Sequence, residues 1–467
     1  MNRRDFLSSL FSLGLSAVSV RAGAKGLRSD DNVRFLYSTD TDYETYRAVF
    51  NARIDHRPVV ISVCRNEAGV QKAVRHAHAL GLAATVKGGG HHFEGYCSSD
   101  GGMTIDLTLM NGQRMGENGR LISEPARRLV EVYENLIPQG RLLPTGSCAM
   151  VGLGGITLGG GYGLFSREHG LTCDWLRRVR LVDGHGKVHE VHEGNELLWA
   201  LRGGGGGGLG VVTELEFDTV ACPRSIWSHR FKSYKLTPAQ VSAKTRAWFG
   251  IAEKLPRHAF SAYVLSGTTL TILVTSSLAK ADADLLASLK AFSAMSETTA
   301  AGQESPLPAG IRRYYGKLAP LPFRNASAGY YRSYSDIEAV IPDISVIVAR
   351  HPRLLMQINT LGGAIDDPVA TNHSVYAHRG YPFLGEIQSY WENPARAPAL
   401  VAAVAQVQSL FAQAGITRHY ANYADGGLKN WSRAYYGLDG YKRLQAVKRL
   451  IDPGNIFRHP QSIDPRG

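Results

Sequence analysis

The stretch Pro58–Gly95, "PVVISVCRNEAGVQKAVRHAHALGLAATVKGGGHHFEG", decides the fold class. "PVVISV" is a short β-branched run. After it, Val70, Ala73, Val74, Ala77 and Leu80 recur at helical spacing behind Asn66, a residue suited to capping a helix. "AATVK" then reads as a second strand, so the segment is a strand–helix–strand unit of a mixed α and β protein. Three glycines, Gly88, Gly89 and Gly90, stand at the end of that strand, followed by His91 and His92. Neighbours on an extended segment point to opposite faces, and no third ligand has suitable spacing, so the two imidazoles do not make a metal site and no metal is expected.

Working outward, "MTIDLTLM" and "RLVEVY" read as further strands, and "RVRLVDGHGKVHEVHEG" as a hairpin turning at Asp183-Gly-His-Gly. "NELLWALRGGGGGGLGVVTELEF" reads as a short helix capped by Asn195, a glycine run and a strand. These segments form one α+β unit over 33–220, itself two α+β subdomains. From Pro223 glycine thins, and strands such as "FSAYVLSGTTLTILVTSS" alternate with helices "AQVSAKTRAWFGIAEKL", "ADADLLASLKAF" and "ALVAAVAQVQSLFAQAG". That texture predicts a second domain over 221–419, an antiparallel sheet flanked by helices. The aromatic, polar tail 420–467 cannot form a core alone and is expected to pack back on the first unit.

The first residues, "MNRRDFLSSLFSLGLSAVSVRAGA", have a basic start, an apolar stretch and small residues at Ala22 and Ala24. This is an export signal over 1–24, and Arg3-Arg4 before Asp5, Phe6 and Leu7 resembles a twin-arginine signal, read by the machinery that exports folded proteins. A periplasmic or secreted protein follows, with no stable membrane span after processing. The formal charge of +12 falls to +10 once Arg3, Arg4, Arg21 and Asp5 are removed. Those charges are scattered without a basic run, which argues against a nucleic-acid partner. Five cysteines, an odd number, suggest one thiol with its own task; Cys64, Cys97, Cys173 and Cys222 can pair or stay reduced.

Gly203, Gly205 and Gly208 satisfy G-x-G-x-x-G, but a run of six glycines does so trivially and follows a helix rather than a strand. No Rossmann site is read there. Three glycine-dense segments, Gly88–Gly90, Gly152–Gly163 and Gly203–Gly210, instead mark places where backbone approaches something closely or takes positive φ. A planar, phosphate-bearing cofactor fits that need, since bare backbone N–H groups cradle pyrophosphate without a lysine.

Six ordered blocks from Pro58 to the C-terminus now converge on a family. "VKGGGHHFEG" is similar to the R-S-G-G-H-x-Y-E-G segment of the berberine-bridge-enzyme-like, PCMH-type FAD-linked oxidases of the vanillyl-alcohol-oxidase fold. "GSCAMVGLGGITLGGGYGLFSREHGLTCDWL" resembles their C-P-T-V-G-x-G-G-H-x-x-G-G-G-Y-G segment; "LLWALRGGGGGGLGVVTELEF", "NYAD", "WSRAYYG" and "IDPGNIFRHPQSI" resemble later blocks. The resemblance implies FAD, tethered covalently through His91 at the flavin 8α-methyl and through Cys148 at C6. Lys87, Gly88, Gly89, Gly90, Val151, Gly152, Gly155, Ile156, Val212 and Asn455 fall in the matching cofactor segments. Lys87 replaces the family's usual arginine, and Ile156 stands where many members have a histidine near flavin N1–C2=O.

For chemistry, the resemblance implies oxidation of an alcohol or hemiacetal, with hydride passing to flavin N5 while a base takes the hydroxyl proton. Tyr423 of "NYAD" matches the catalytic tyrosine, Tyr162 of "GGGYG" the tyrosine bonded to it, and Gln388 of "EIQSYW" a polar residue lining the substrate side. A free phenol titrates near ~10, so such a base needs its anion stabilised by donors or positive charge, and a hydrogen-bonded tyrosine pair on a basic protein is one way. Val151 matches the gate position where valine goes with oxygen access, which points to O2 as second substrate and H2O2 as product. The substrate expected is a sugar, oligosaccharide or other alcohol. Rivals are a dehydrogenase of the same fold that passes electrons to a quinone, and a flavin-carrying protein without turnover.

Overall fold

The computed structural model describes residues 28–206, 208–278 and 280–466. The export signal expected at 1–24 lies outside the described residues. The Pro58–Gly95 unit is a strand Val60–Cys64, a helix Glu67–Leu80 and a strand Ala84–Lys87. Asn66 caps the helix by accepting the Gly69 N–H at 3.0 Å, and Gly81 ends it at φ +65°. Val70, Ala73, Val74 and Ala77 are fully buried beneath it. These strands, with Val33–Leu36 and Met103–Asp106, make a four-stranded sheet in which the pairings of Met103–Asp106 are parallel.

One element differs from the expectation. "RLVEVY" is a helix, Leu129–Leu136, not a strand. Leu129, Val132, Tyr133 and Leu136 are its buried residues, a helical stripe hidden in a β-branched string, and Glu131 folds back to accept the Arg128 N–H at 2.9 Å. "MTIDLTLM" keeps strand geometry only over Met103–Asp106, because Asp106 Oδ1 accepts the Thr108 N–H at 2.8 Å and turns the chain. The Leu176–Val182 and Val188–His192 hairpin joins Val211–Phe217, Leu121–Ser123 and Gln113–Met115 in an antiparallel sheet of five strands.

The other large sheet is antiparallel, in the order Thr298–Pro306, Ser225–Ser233, Thr269–Ser276, Ala259–Ser266, Leu354–Thr360, Phe383–Ser389, Ala326–Tyr331. Alternation with period two divides its residues between faces. Tyr263, Leu265, Met356, Ile358, Phe383 and Ile387 share a core with Trp248, Phe249, Ile344, Val404 and Phe411, residues of three covering helices. Pro394–Gln413 is long and apolar enough by composition to cross a membrane; Leu400, Ala403, Val404, Val407 and Phe411 of this helix are buried in that core. The opposite face of the sheet turns toward the glycine-rich loops.

The tail lies across the first unit. Lys448, fully buried on the helix Leu438–Ile451, donates to Asp452 Oδ2 at 2.8 Å, to the Phe457 carbonyl at 2.7 Å and to the Gly208 carbonyl. The Ile456 carbonyl accepts the Ala84 N–H at 2.9 Å, beside the strand that carries the three glycines.

Candidate active site

The three glycine segments converge on one cavity of about 540 Å³. Gly88, Gly89 and Gly90 line it from one side, Gly152, Gly154, Gly155 and Gly163 from below, and Gly204, Gly205, Gly206, Gly208 and Gly210 from another. Two kinds of glycine are present. At Gly89 and Gly152 backbone packs on backbone: a Cβ on either would come within 2.7 Å of the other's Cα. Arg128 ties these loops by donating to both the Gly89 and Met150 carbonyls. Gly155 and Gly206 differ, because a Cβ on Gly155 would meet nothing within 4 Å, and one on Gly206 only the Gly155 Cα at 3.7 Å. Protein packing does not explain these two; close approach of a bound group does.

His91 lines the cavity, its ring stacked on Phe50 at 3.7 Å, and its buried Nε2 has no hydrogen-bond partner. Burial, reinforced by Arg128, lowers its pKa to about 3, so the imidazole is neutral. Cys148 lines the cavity with its thiol open to that space, and the enclosing cavity wall together with Glu386 raises the thiol to about 11. A neutral imidazole with an orphaned nitrogen and a free thiol, set against glycine cradles, fit a flavin: these residues would hold it, and when bound it supplies a hydride acceptor. Val151, Ile156 and Val212 line the same cavity. His92 shapes the loop, its Nδ1 facing the Glu94 and Tyr96 N–H groups at 3.2 and 3.4 Å. All five cysteines are free.

Two expected cofactor residues stand elsewhere. Lys87 is turned into the protein, donating to the Tyr46 carbonyl at 2.6 Å and pairing with Asp106 at 3.1 Å. Asn455 sits in the tail at φ +48°, its N–H on the Asp452 carbonyl at 3.0 Å. Neither is among the residues lining the cavity.

The tyrosine pair is assembled from segments far apart in sequence. Gly160 and Gly161, at φ +112° and +80°, bend the chain so that the Gly161 N–H donates to Tyr420 Oη at 3.0 Å. Asn422 donates to the Ile156 carbonyl at 3.1 Å and fills the space a Cβ on Gly159 would need. This interlock of glycine loop and tail sets Tyr162 Oη 2.5 Å from Tyr423 Oη. Asp425, two residues on, pairs with Arg324 at 2.5 Å; Arg324 pairs with Glu94 at 2.5 Å, and Glu94 with Arg53 at 2.9 Å. Burial opposes ionisation of Asp425, and Arg324 with its other donors overrides it, holding the carboxyl below its usual range.

Of the two means of stabilising a tyrosine anion, donors and positive charge, the donors are present in the hydrogen-bonded pair itself and in Asn359. Burial first, and then the carboxyl of Glu386, push both Tyr162 and Tyr423 well above the ordinary phenol range. Sequence reading missed Glu386, and with it Gln357 and Asn359. All three line the cavity beside Gln388, on the open face of strands Leu354–Thr360 and Phe383–Ser389, where Gln357 is directly opposite Glu386. The signal was present as polar residues at i and i+2 in "MQINT" and "GEIQS", between apolar neighbours. Asn359 Nδ2 donates to Tyr162 Oη at 3.1 Å and Gln388 Nε2 donates to Glu386 Oε2 at 2.9 Å, and Glu386 lines the cavity with Tyr423. Burial raises Glu386 to about 8. Phe260, Ala262, Val264 and Leu273 complete an apolar flank.

Comparison with known proteins agrees with this geometry. An FAD binding domain model matches residues 58–192, and a model described as berberine and berberine like matches 419–464. The chain is 27% identical over 460 residues to an uncharacterized FAD-linked oxidoreductase of Bacillus subtilis, YgaK, covering 92% of this chain and 97% of that one. It is 28% identical to a chitooligosaccharide oxidase of Gibberella zeae, covering 89% of each. Among solved structures, a glucooligosaccharide oxidase from Acremonium strictum superposes with a TM-score of 0.83 at 25% identity, over 93% of this chain and 97% of that one. That protein is described as carrying a 6-S-cysteinyl, 8α-N1-histidyl FAD.

Proposed function

Because the chain is an FAD-linked oxidoreductase of the berberine-bridge-enzyme-like family, we propose that it is an exported oxidase of a neutral carbohydrate or related alcohol, with O2 as second substrate and H2O2 as product. One observation carries this reading: three glycine segments frame a cavity whose facing wall holds the Tyr162–Tyr423 pair and a row of uncharged amides, Gln357, Asn359 and Gln388. Uncharged donors and acceptors beside an apolar flank suit sugar hydroxyls better than a charged substrate. The chitooligosaccharide and glucooligosaccharide oxidases among its relatives support the same class.

His91, and with it Cys148, holds the flavin covalently, which retains it after export through the twin-arginine route to the periplasm or beyond. Bound flavin supplies the hydride acceptor. The chain's own residues do the rest: Gln388 and Gln357 orient hydroxyls, Tyr423 receives the hydroxyl proton, Tyr162 and Asn359 hold Tyr423 in place, and Val151 leaves O2 a path. The test is anaerobic mixing with cellobiose, chitobiose and xylobiose while flavin absorbance is followed. Bleaching by one of them, peroxide formation on admitting air, and loss of bleaching in Tyr423→Phe are expected. A yellow holoenzyme that no alcohol bleaches would refute the oxidase reading, and bleaching without peroxide in air would point to another electron acceptor.

A further inference from the structure

His91 and Cys148 stand on loops that are fastened in different ways. The Cys148 loop is tied along its length to 125–130 by backbone bonds. The Val130 N–H donates to the Ala149 carbonyl at 3.0 Å, Leu129 to Val151 at 3.0 Å, Leu153 to Arg127 at 2.8 Å and Gly154 to Pro125 at 2.9 Å. Over Gly88–His91 the other loop takes a backbone bond from the Phe50 N–H to the Gly90 carbonyl at 3.0 Å. Gly89 and Gly152 pack backbone on backbone, but among the described residues no hydrogen bond runs directly from one loop to the other. Arg128 crosses that gap. Its Nη1 donates to the Gly89 carbonyl, two residues before His91, and to the Met150 carbonyl, two residues after Cys148. The Arg128 N–H is itself fixed on Glu131 Oε2 at 2.9 Å, at the start of the helix Leu129–Leu136. Bonds from a cation are roughly twice as strong as neutral ones, so this one side chain makes a firm tie.

We propose that Arg128 is the positioning residue for a double flavin link: by holding the Gly89 and Met150 carbonyls on one nitrogen, it sets the spacing between His91 and Cys148 at which a single flavin joins both. This rests on the reading of His91 and Cys148 as tethers. Each link replaces a flavin C–H bond by a C–N or C–S bond. The hydrogen of that C–H and the hydrogen of the imidazole N–H or thiol S–H leave as two protons and two electrons, which O2 takes up as H2O2. The first link needs only one side chain within reach. The second needs the other side chain at a distance already dictated by the bonded ring, where an error of about 1 Å costs about 100-fold in rate. Arg128 is not among the residues lining the cavity, so it acts through the two loops and not on the flavin.

Position and charge separate cleanly at this residue. Burial is the larger cause of the low His91 pKa and Arg128 the smaller, so the imidazole stays neutral and nucleophilic without the guanidinium. The Cys148 thiol is raised by its enclosure and by Glu386. Removing the Arg128 charge therefore leaves both nucleophiles in their present protonation states, whereas removing its hydrogen bonds frees one loop from the other. The freed loop is the one that carries His91, because the backbone bonds of the Cys148 loop do not involve the Arg128 side chain. Both side-chain bonds leave from one nitrogen, so a lysine ammonium with its three donors can make them again, and a methionine cannot.

The experiment uses holoenzyme collected at intervals after induction and digested for peptide mass mapping. In wild type the peptides carrying His91 and Cys148 should be joined through one FAD. In Arg128→Met the joined species should form about 100-fold more slowly while peptides carrying FAD on a single residue accumulate, and Arg128→Lys should recover part of the joined species. Arg127→Met, which removes a donor to the Asn111 carbonyl instead, should match wild type. Amide hydrogen exchange is compared in the Cys148→Ala background, where no protein is doubly linked. There Arg128→Met should speed exchange over Gly88–His92 about tenfold and leave Ala149–Gly154 within about threefold. Should Arg128→Met not accumulate, Arg128→Gln, whose shorter side chain misses both carbonyls, takes its place. A joined species that forms as fast in the variant as in wild type would overturn the proposal. So would unchanged exchange over Gly88–His92, or protection lost equally over both loops, which would mark a folding defect rather than a lost spacing. A wild type that never joins the two peptides would refute the double tether itself, and with it any spacing to be set.

Discussion

Replacing Glu386 by Gln should change how stability depends on pH, and the size follows from the structure. The carboxyl is raised from 4.5 in the unfolded chain to about 8 in the folded one, chiefly by burial. A raised acid binds more protons folded than unfolded, so wild type loses stability as pH climbs from 4.5 to about 8, and below 4.5 the loss is absent. At ~1.4 kcal/mol per unit the full effect is about 5 kcal/mol, of which about 4 kcal/mol falls between pH 5 and pH 9. The amide in the Glu386→Gln variant does not titrate, so the wild-type-minus-variant difference isolates this swing from every other ionisation in the chain. For 467 residues the unfolding entropy is about 1 kcal/mol per degree, so the Tm difference should move by about 4 °C toward the variant between pH 5 and pH 9. Differential scanning fluorimetry at half-unit intervals measures it. A Tm difference independent of pH would show that burial does not hold Glu386 protonated, and the reasoning would fail.

Other substitutions test other parts of the site. His91→Ala should release the flavin into the supernatant on acid precipitation if Cys148 is not a second tether, and His91→Ala with Cys148→Ala should release it in any case; a yellow pellet from the double variant would rule out both links. Gly155→Leu should keep the wild-type circular dichroism while binding less than a tenth of the flavin, because the space before Gly155 is cavity rather than protein. Gly89→Ala should instead lower expression and Tm, since its Cβ meets Gly152 backbone; equal Tm values for the two would contradict that distinction. Arg324→Met should cost about 3–5 kcal/mol near neutral pH by stranding Asp425 and leaving Glu94 with Arg53 alone. That loss should shrink as pH falls through the carboxylate range and the stranded Asp425 takes up a proton; urea denaturation at pH 7 and pH 4 compares the two.

Much of this protein was legible in its sequence because the relevant signals are local. Asn66, Val70, Ala73 and Val74 announce a helix through spacing and capping alone, and three glycine segments announce backbone held close to a large ligand. The motifs around His91, Cys148, Tyr162 and Tyr423 carry the family with them, and the structure gathers all four at one cavity. "RLVEVY" misled because a β-branched string and a helical stripe coincide over six residues, and the choice falls to whichever partners bury Leu129, Val132 and Tyr133.

The electrostatics of the site, by contrast, depend on contacts between distant segments. Lys87, read as a cofactor residue, finds Asp106 on the neighbouring parallel strand and spends its charge there. The tyrosine pair, read as a base whose anion is stabilised by donors or positive charge, has its donors and lies in a buried pocket near Glu386. Net charge is a sum over the surface, whereas a pKa depends on burial and on the few groups within hydrogen-bond reach. Those groups come from the glycine loop, two strands and the tail, and no spacing along the chain records that Glu386 meets Tyr423. Local pattern was enough for most of the elements, the cofactor cradle and the tyrosines; the electrostatics around the tyrosines is set by the packing of a glycine loop, two strands and the tail, which meet only in the folded chain.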